Sequence, residues 1–282
     1  MRHQKKKISA KPLLEINSAK NTSFDWHELW RYRDLFFFLV WRNFKVRYKQ
    51  TFLGLLWIIL QPLITMAIIS LVLGRLARFP SDGVPYPIFL FTALVFWNYF
   101  SVALTSTSNS LIEGQALVKK IYFPRIIIPF ATAVTQLVDL VINILILFAL
   151  MAVLRFEPNY WGILTLPLVA FVTFVLSTGL GLVLAAANTT YRDVRYLIGF
   201  FVQILFYLSP IIYSASLVPA KYQWIYYLNP VAGILTFARQ SLLHHVTPNW
   251  SALLIGLAIG IVLTIFGWWY FHRVEKSMVD VL

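Results

Sequence analysis

Six stretches of this chain are long and apolar enough to sit in oil: residues 52–74, 86–108, 126–154, 161–187, 196–213 and 250–271. About 20 such residues let a helix cross a hydrocarbon layer of roughly 30 Å. In lipid every backbone N–H and C=O must find its partner inside the segment, so runs of this kind fold as helices. The one charged side chain within them is Asp139, in the third. The expected fold is therefore all-α and membrane-embedded, with six transmembrane helices in each protomer.

Composition agrees and removes the rival reading of the charge. Hydrophobic residues make up 59% of the chain and charged ones 12%, with a mean hydropathy of +0.72. Soluble domains hold about 45–50% apolar residues. The net charge of +13 could suit nucleic acid, but the cations lie between apolar runs rather than along a polar face, which points to lipid headgroups and away from nucleic acid. With no cysteine the chain has neither disulfides nor thiolate metal sites.

Residues 1–24 carry the positive start of a signal peptide without its apolar core, and are expected to form a flexible cytoplasmic tail. With that tail inside, all but five of the 24 lysines and arginines fall on cytoplasmic pieces; the five are Arg75, Arg78, Arg155, Lys221 and Arg239. The positive-inside rule then puts both termini in the cytoplasm. Residues 25–50 are expected to form an amphipathic interfacial helix, ahead of a transmembrane domain over 51–282. Asp34, Arg42, Lys45 and Lys49 recur at steps that return to one helical face, while Phe36, Phe37, Leu39, Val40, Trp41 and Phe44 supply the apolar remainder. These cations either anchor the first span to anionic lipid or also receive a substrate.

Polar residues inside the spans carry the most information. Thr132, Gln136, Asp139 and Asn143 step by four, three and four residues, which puts them on one face of the third span, pointing into the bundle. An aspartate at that depth costs about 2.5–3.5 kcal/mol and needs a partner or a wet surface. It serves either helix packing or a pathway. Asn98, Ser101, Thr105 and Ser108 show a weaker stripe of the same kind on the second span.

Catalytic patterns are missing: there is no phosphate loop of the G-x-x-x-x-G-K-[ST] type, no H-E-x-x-H and no G-x-S-x-G. His244 and His245 are adjacent, so on a helix they diverge by about 100° and do not share a metal easily. Residues 210–249 are too apolar for an exposed loop and too broken by Pro210, Pro219, Pro230 and Pro248 for a span. Two short re-entrant helices are expected there. Tyr213, Tyr222, Trp224, Tyr226 and Tyr227 would gather at the outer interface, as an aromatic belt or as guards of an outer gate.

Five segments, in order, carry a resemblance to a known family: "RYKQTFLGLLWIILQPL", "VKKIYFPRIIIPFA", "YRDVRYLIGF", "LSPIIYS" and "LNPVAGILTFAR". Together they resemble the permease subunit of ABC-2-type polysaccharide exporters, which move O-antigen, teichoic acid or capsular polysaccharide. The resemblance implies a non-catalytic subunit of the bacterial inner membrane. It would work as a homodimer with two copies of a separate ABC ATPase, which binds the ATP and Mg, while this chain holds no cofactor. It further implies a coupling helix within "IEGQALVKKIYFP", with Glu113, Gln115, Lys119 and Lys120 as contacts, and Arg192 and Asp193 as secondary contacts.

A lipid-linked polysaccharide is the implied cargo, and its phosphate could be gathered by Arg42, Lys45, Arg47 and Lys49 at headgroup depth. The family places its conduit along the first, second and fifth spans. This makes Trp57, Trp97, Tyr99, Phe100, Phe201, Phe206 and Tyr207 candidate lining residues, with core packing or lipid contact as the alternative for each ring. An ion-coupled secondary carrier would need several intramembrane ionisable groups and a repeated topology, and neither is visible here.

Overall fold

The computed structural model describes residues 30–49, 56–120, 123–191, 193–243 and 247–275. The tail expected over residues 1–24, together with Arg192, His244 and His245, lies outside them. Every regular element among the described residues is helical.

Helix α1, Arg33–Lys49, precedes α2, Leu56–Ile69, which continues as a π-helical stretch, Ser70–Leu76. α3 spans Tyr86–Glu113 and starts with Pro87 in its first turn, where a missing N–H costs nothing. A single turn, α4, Gln115–Val118, follows. The third apolar stretch is two helices, α5, Ile127–Thr135, and α6, Leu137–Val153, separated by a hitch at Gln136. α7 runs Tyr160–Thr190, α8 Val194–Leu208, α9 Gln223–Tyr226, α10 Pro230–Leu243 and α11 Trp250–Glu275.

Among the described residues, five helical stretches have the length and apolarity to cross a membrane: Leu56–Leu76, Tyr86–Glu113, Ile127–Val153, Tyr160–Thr190 and Trp250–Glu275. The sixth expected span, residues 196–213, is represented by the 15-residue α8. It stops at Leu208 because Pro210 disfavours helical backbone at the residue before it, and Ser209 is extended, with φ −97° and ψ 151°. The segment expected to hold two re-entrant helices contains two 3-10 turns, Ala215–Leu217 and Ala220–Tyr222, the one-turn α9 and one full helix, α10, whose 14 residues are almost all buried.

α3 is the spine of the bundle. Its Phe89, Phe91, Phe96 and Phe100 are fully buried in the main core, where α6, α7, α10 and α11 also contribute. α7 and α11 approach through small residues. A Cβ on Gly267 would fall 2.8 Å from the Gly179 carbonyl oxygen, and one on Gly179 would fall 2.6 Å from the Thr264 backbone nitrogen. Packing of this kind replaces the hydrophobic drive that is absent between helices in lipid.

A second core at the α4 end joins Leu39 of α1 to Leu111, Phe123, Ile127 and Phe271. α1 therefore docks on α5. Its charges and rings are less segregated than the expected amphipathic helix: Phe37, Phe38, Trp41 and Val46 are exposed alongside Asp34 and Lys45. Arg125 ties this end together, its backbone N–H donating to Glu275 Oε1 at 3.0 Å and its Nη1 to the Glu275 carbonyl at 2.6 Å.

Candidate functional site

The polar stripe of the third span meets a cation from α1. Arg47 Nη1 lies 2.9 Å from Asp139 Oδ2 and also donates to the side-chain carbonyl of Gln136, the residue at the α5–α6 hitch. Asn143 Nδ2 donates to the Asp139 carbonyl at 2.8 Å. Thr132 turns back on its own helix, donating to the Ile128 carbonyl at 2.9 Å.

Around the pair opens a cleft of about 350 Å³. Trp57 and Gln61 line it from α2, Asn98, Tyr99 and Ser101 from α3, and Gln136, Asp139 and Asn143 from the third span. It is wide enough to hold water beside the ion pair, and Arg47 supplies the partner that a carboxylate at this depth requires. Chemically it is a polar, charge-neutralised recess in an otherwise apolar wall. The partner of Asp139 was missed in the sequence, where Arg47 reads as one more headgroup cation beside Lys45 and Lys49. Arg42 is half-buried and donates to Asn43 Oδ1 at 3.1 Å, while Lys45 is exposed.

The candidate conduit rings divide into two groups. Trp97, Tyr99 and Phe100 are buried. The Trp97 ring packs 5.7 Å from Phe100 and edge-on to Phe206 at 5.6 Å, so core packing accounts for Trp97 and Phe100. Trp57, Phe201 and Tyr207 are exposed, and Phe206 links the groups through an edge contact to Tyr207 at 5.4 Å.

At the end opposite α4 the aromatic residues form a partly connected set. Tyr226 and Tyr213 bring their hydroxyls to 3.2 Å, and the Tyr226 and Tyr227 rings meet at 5.8 Å. Burial, reinforced by the Tyr213 hydroxyl, pushes the Tyr226 phenol above the ordinary tyrosine range. Tyr222 and Trp224 are exposed, with Lys221 Nζ 4.6 Å above the Tyr222 ring.

Beneath this set lies a residue that sequence reasoning treated only as a cation on the far side. Arg239 is buried, stacks 3.5 Å over the Phe89 ring and donates four hydrogen bonds to backbone carbonyls: Phe89 at 3.0 Å, Pro210 at 2.5 Å, Ile211 at 2.6 Å and Tyr213 at 3.1 Å. Its signal in the sequence was a lone charge in the apolar stretch "PVAGILTFARQSLL".

At the α4 end, Glu113, Ala116, Lys119 and Lys120 are exposed and Gln115 is half-buried, but Leu111 and Val118 are buried in the chain's own core. The projecting surface is thus more charged than an apolar knob built from Leu111, Ile112, Ala116, Leu117 and Val118 would be. Asp193 is exposed. Asn188 fastens α7 to α3 by donating to the Ser108 carbonyl and to Asn109 Oδ1, both at 3.0 Å.

Apolar helices of spanning length with a charge-neutralised cleft among them describe a multi-pass membrane protein. The family profile of the ABC-2 type transporters matches residues 34–243, and the chain belongs to that family. It is 26% identical over 249 residues to the O-antigen export system permease protein RfbA of Klebsiella pneumoniae, covering 88% of this chain and 95% of that protein. It is also 27% identical over 239 residues to RfbA of Myxococcus xanthus, covering 84% and 90%. The polysialic acid transport protein KpsM of Escherichia coli is 25% identical over 234 residues, covering 79% and 89%. Membership of this family implies an ABC ATPase as partner.

Proposed function

We propose that this chain is the transmembrane subunit of an ATP-driven exporter that carries a lipid-linked polysaccharide of O-antigen type from the cytoplasmic to the outer side of the bacterial inner membrane. The observation that carries the reading is similarity along most of the chain to an export permease and a transport protein named for two different polysaccharides. Two copies work with two ATPase subunits, which bind ATP and Mg. α8 with the turn after it serves as a sixth crossing, so that both termini are cytoplasmic, consistent with the bias of Lys and Arg.

The turn at the α4 end receives the ATPase through Glu113, Gln115, Lys119 and Lys120, with Arg192 and Asp193 as secondary contacts. Arg42, Lys45 and Lys49 gather the lipid phosphate at headgroup depth. Arg47, whose charge Asp139 already neutralises, instead holds α1 to the third span. Exposed Trp57, Phe201 and Tyr207 offer ring faces to a glycan passing between two copies, and Tyr213, Tyr222, Trp224, Tyr226 and Tyr227 surround the outer mouth.

Reconstitution of the permease with its ATPase in vesicles tests this. Lipid-linked glycan should stimulate ATP hydrolysis and become accessible on the far side. Transport that continues without ATP and collapses with an uncoupler would instead establish an ion-coupled carrier.

A further inference from the structure

We propose that a second cavity, at the end of the bundle opposite α4, is a binding site for one uncharged sugar unit. It measures about 370 Å³, within the usual range of small-molecule sites. Asp82, Gln223, Tyr227, Thr236, Gln240 and Asn249 line it, with Arg239 at its base.

The charges here are already committed. Arg239 spends four of its five N–H donors on backbone carbonyls. The Asp82 carboxylate accepts from the hydroxyls of Ser214 and Ser216, the latter at 3.0 Å. One cation and one anion cancel, so a phosphate would meet a carboxylate and no free cation.

What remains suits hydroxyl groups. Gln240 Oε1 is occupied by the Asn249 backbone N–H at 2.9 Å, and Asn249 Oδ1 by the Ser251 hydroxyl at 2.6 Å and the Ala252 N–H at 3.2 Å. Each amide thus keeps its NH2 group as a donor. Thr236 is 6% exposed, and its hydroxyl has no hydrogen-bond partner among the described residues. Buried polar atoms without partners are rare and call for an explanation. Sugar hydroxyls donate and accept at once, so they match two amide donors and, once Thr236 turns about χ1 to bring its solvent-shielded hydroxyl into the cavity, an unpaired hydroxyl, and the Tyr227 ring can cover a C–H face. The site rests on the export reading for the source of the sugar.

The test uses the full permease–ATPase complex in nanodiscs, probed by saturation-transfer NMR with glucose, N-acetylglucosamine and inorganic phosphate. A neutral sugar should bind with a Kd on the order of 1 mM, without competition from phosphate. Thr236→Val removes the hydroxyl at nearly constant shape: Tm should hold or rise while sugar binding weakens at least about fivefold. Gln240→Glu keeps the acceptor for Asn249 and deletes the NH2 donor, and should weaken binding likewise. Binding unchanged in both variants, displacement by phosphate, or a fall in Tm for Thr236→Val without loss of sugar binding would overturn the assignment. The export reading fails separately, when wild-type ATP hydrolysis ignores lipid-linked glycan although free sugar still binds.

Discussion

Removing Arg47 should cost far more than removing Asp139, although the two form one pair. They sit 2.9 Å apart, but the Asp139 side chain is only 14% exposed while that of Arg47 is 37% exposed. At an effective dielectric constant of about 20, unit charges ~4 Å apart attract by ~4 kcal/mol. That offsets the ~2.5–3.5 kcal/mol cost of holding a carboxylate at membrane depth. Arg47→Ala strands the carboxylate and should destabilise by about 3 kcal/mol. Asp139→Asn frees a long side chain that can swing toward headgroups, at about 1 kcal/mol. The double variant should then lose about 2 kcal/mol rather than the summed 4, a coupling of about 2 kcal/mol. Unfolding by SDS in mixed micelles, followed by far-UV circular dichroism, measures all four proteins. Equal losses for the single variants, or additivity within about 0.5 kcal/mol, would refute the reasoning.

Gly267→Leu should force α7 and α11 apart at a cost of at least ~1–3 kcal/mol. Gly199→Ala, where nothing lies within 4 Å of the new Cβ, should be neutral or stabilising by up to ~1 kcal/mol in the same titration. Reversing Lys119 and Lys120 together to glutamate should abolish co-purification of the ATPase without shifting Tm, because both side chains are exposed. Arg239→Lys should fail to accumulate as folded protein, since an ammonium group cannot reproduce the planar fork that reaches four carbonyls. Size-exclusion profiles of detergent extracts distinguish that outcome from simple loss of activity.

The positions of five spans were legible because length and hydropathy alone determine what lipid tolerates. The sixth, expected over residues 196–213, is a helix of 15 residues, shorter than the five spans, since the apolar run continues through Ile211 and Ile212 while Pro210 breaks the helix. Gln136, Asp139 and Asn143 were readable as an inward stripe from their spacing, because polar side chains mark a face. Trp97 and Phe100 were not, because a uniformly apolar helix gives no sign of which ring looks inward. Arg47 was hidden by company: beside Lys45 and Lys49 its charge looked like theirs, and only the fold brings it to a residue far away in the chain. Arg239 was hidden by distance of another kind, since its partners are main-chain atoms and leave no trace in side-chain patterns.

That last property has a mutational corollary. A tie that grips carbonyl oxygens depends first on the path of the chain at Phe89, Pro210, Ile211 and Tyr213, while the Phe89 ring beneath the guanidinium and the helix break at Pro210 hold that path in place. The exposed rings at the far mouth, Tyr222 and Trp224, take no part in this tie, so exchanging them should leave the fastening beneath unchanged.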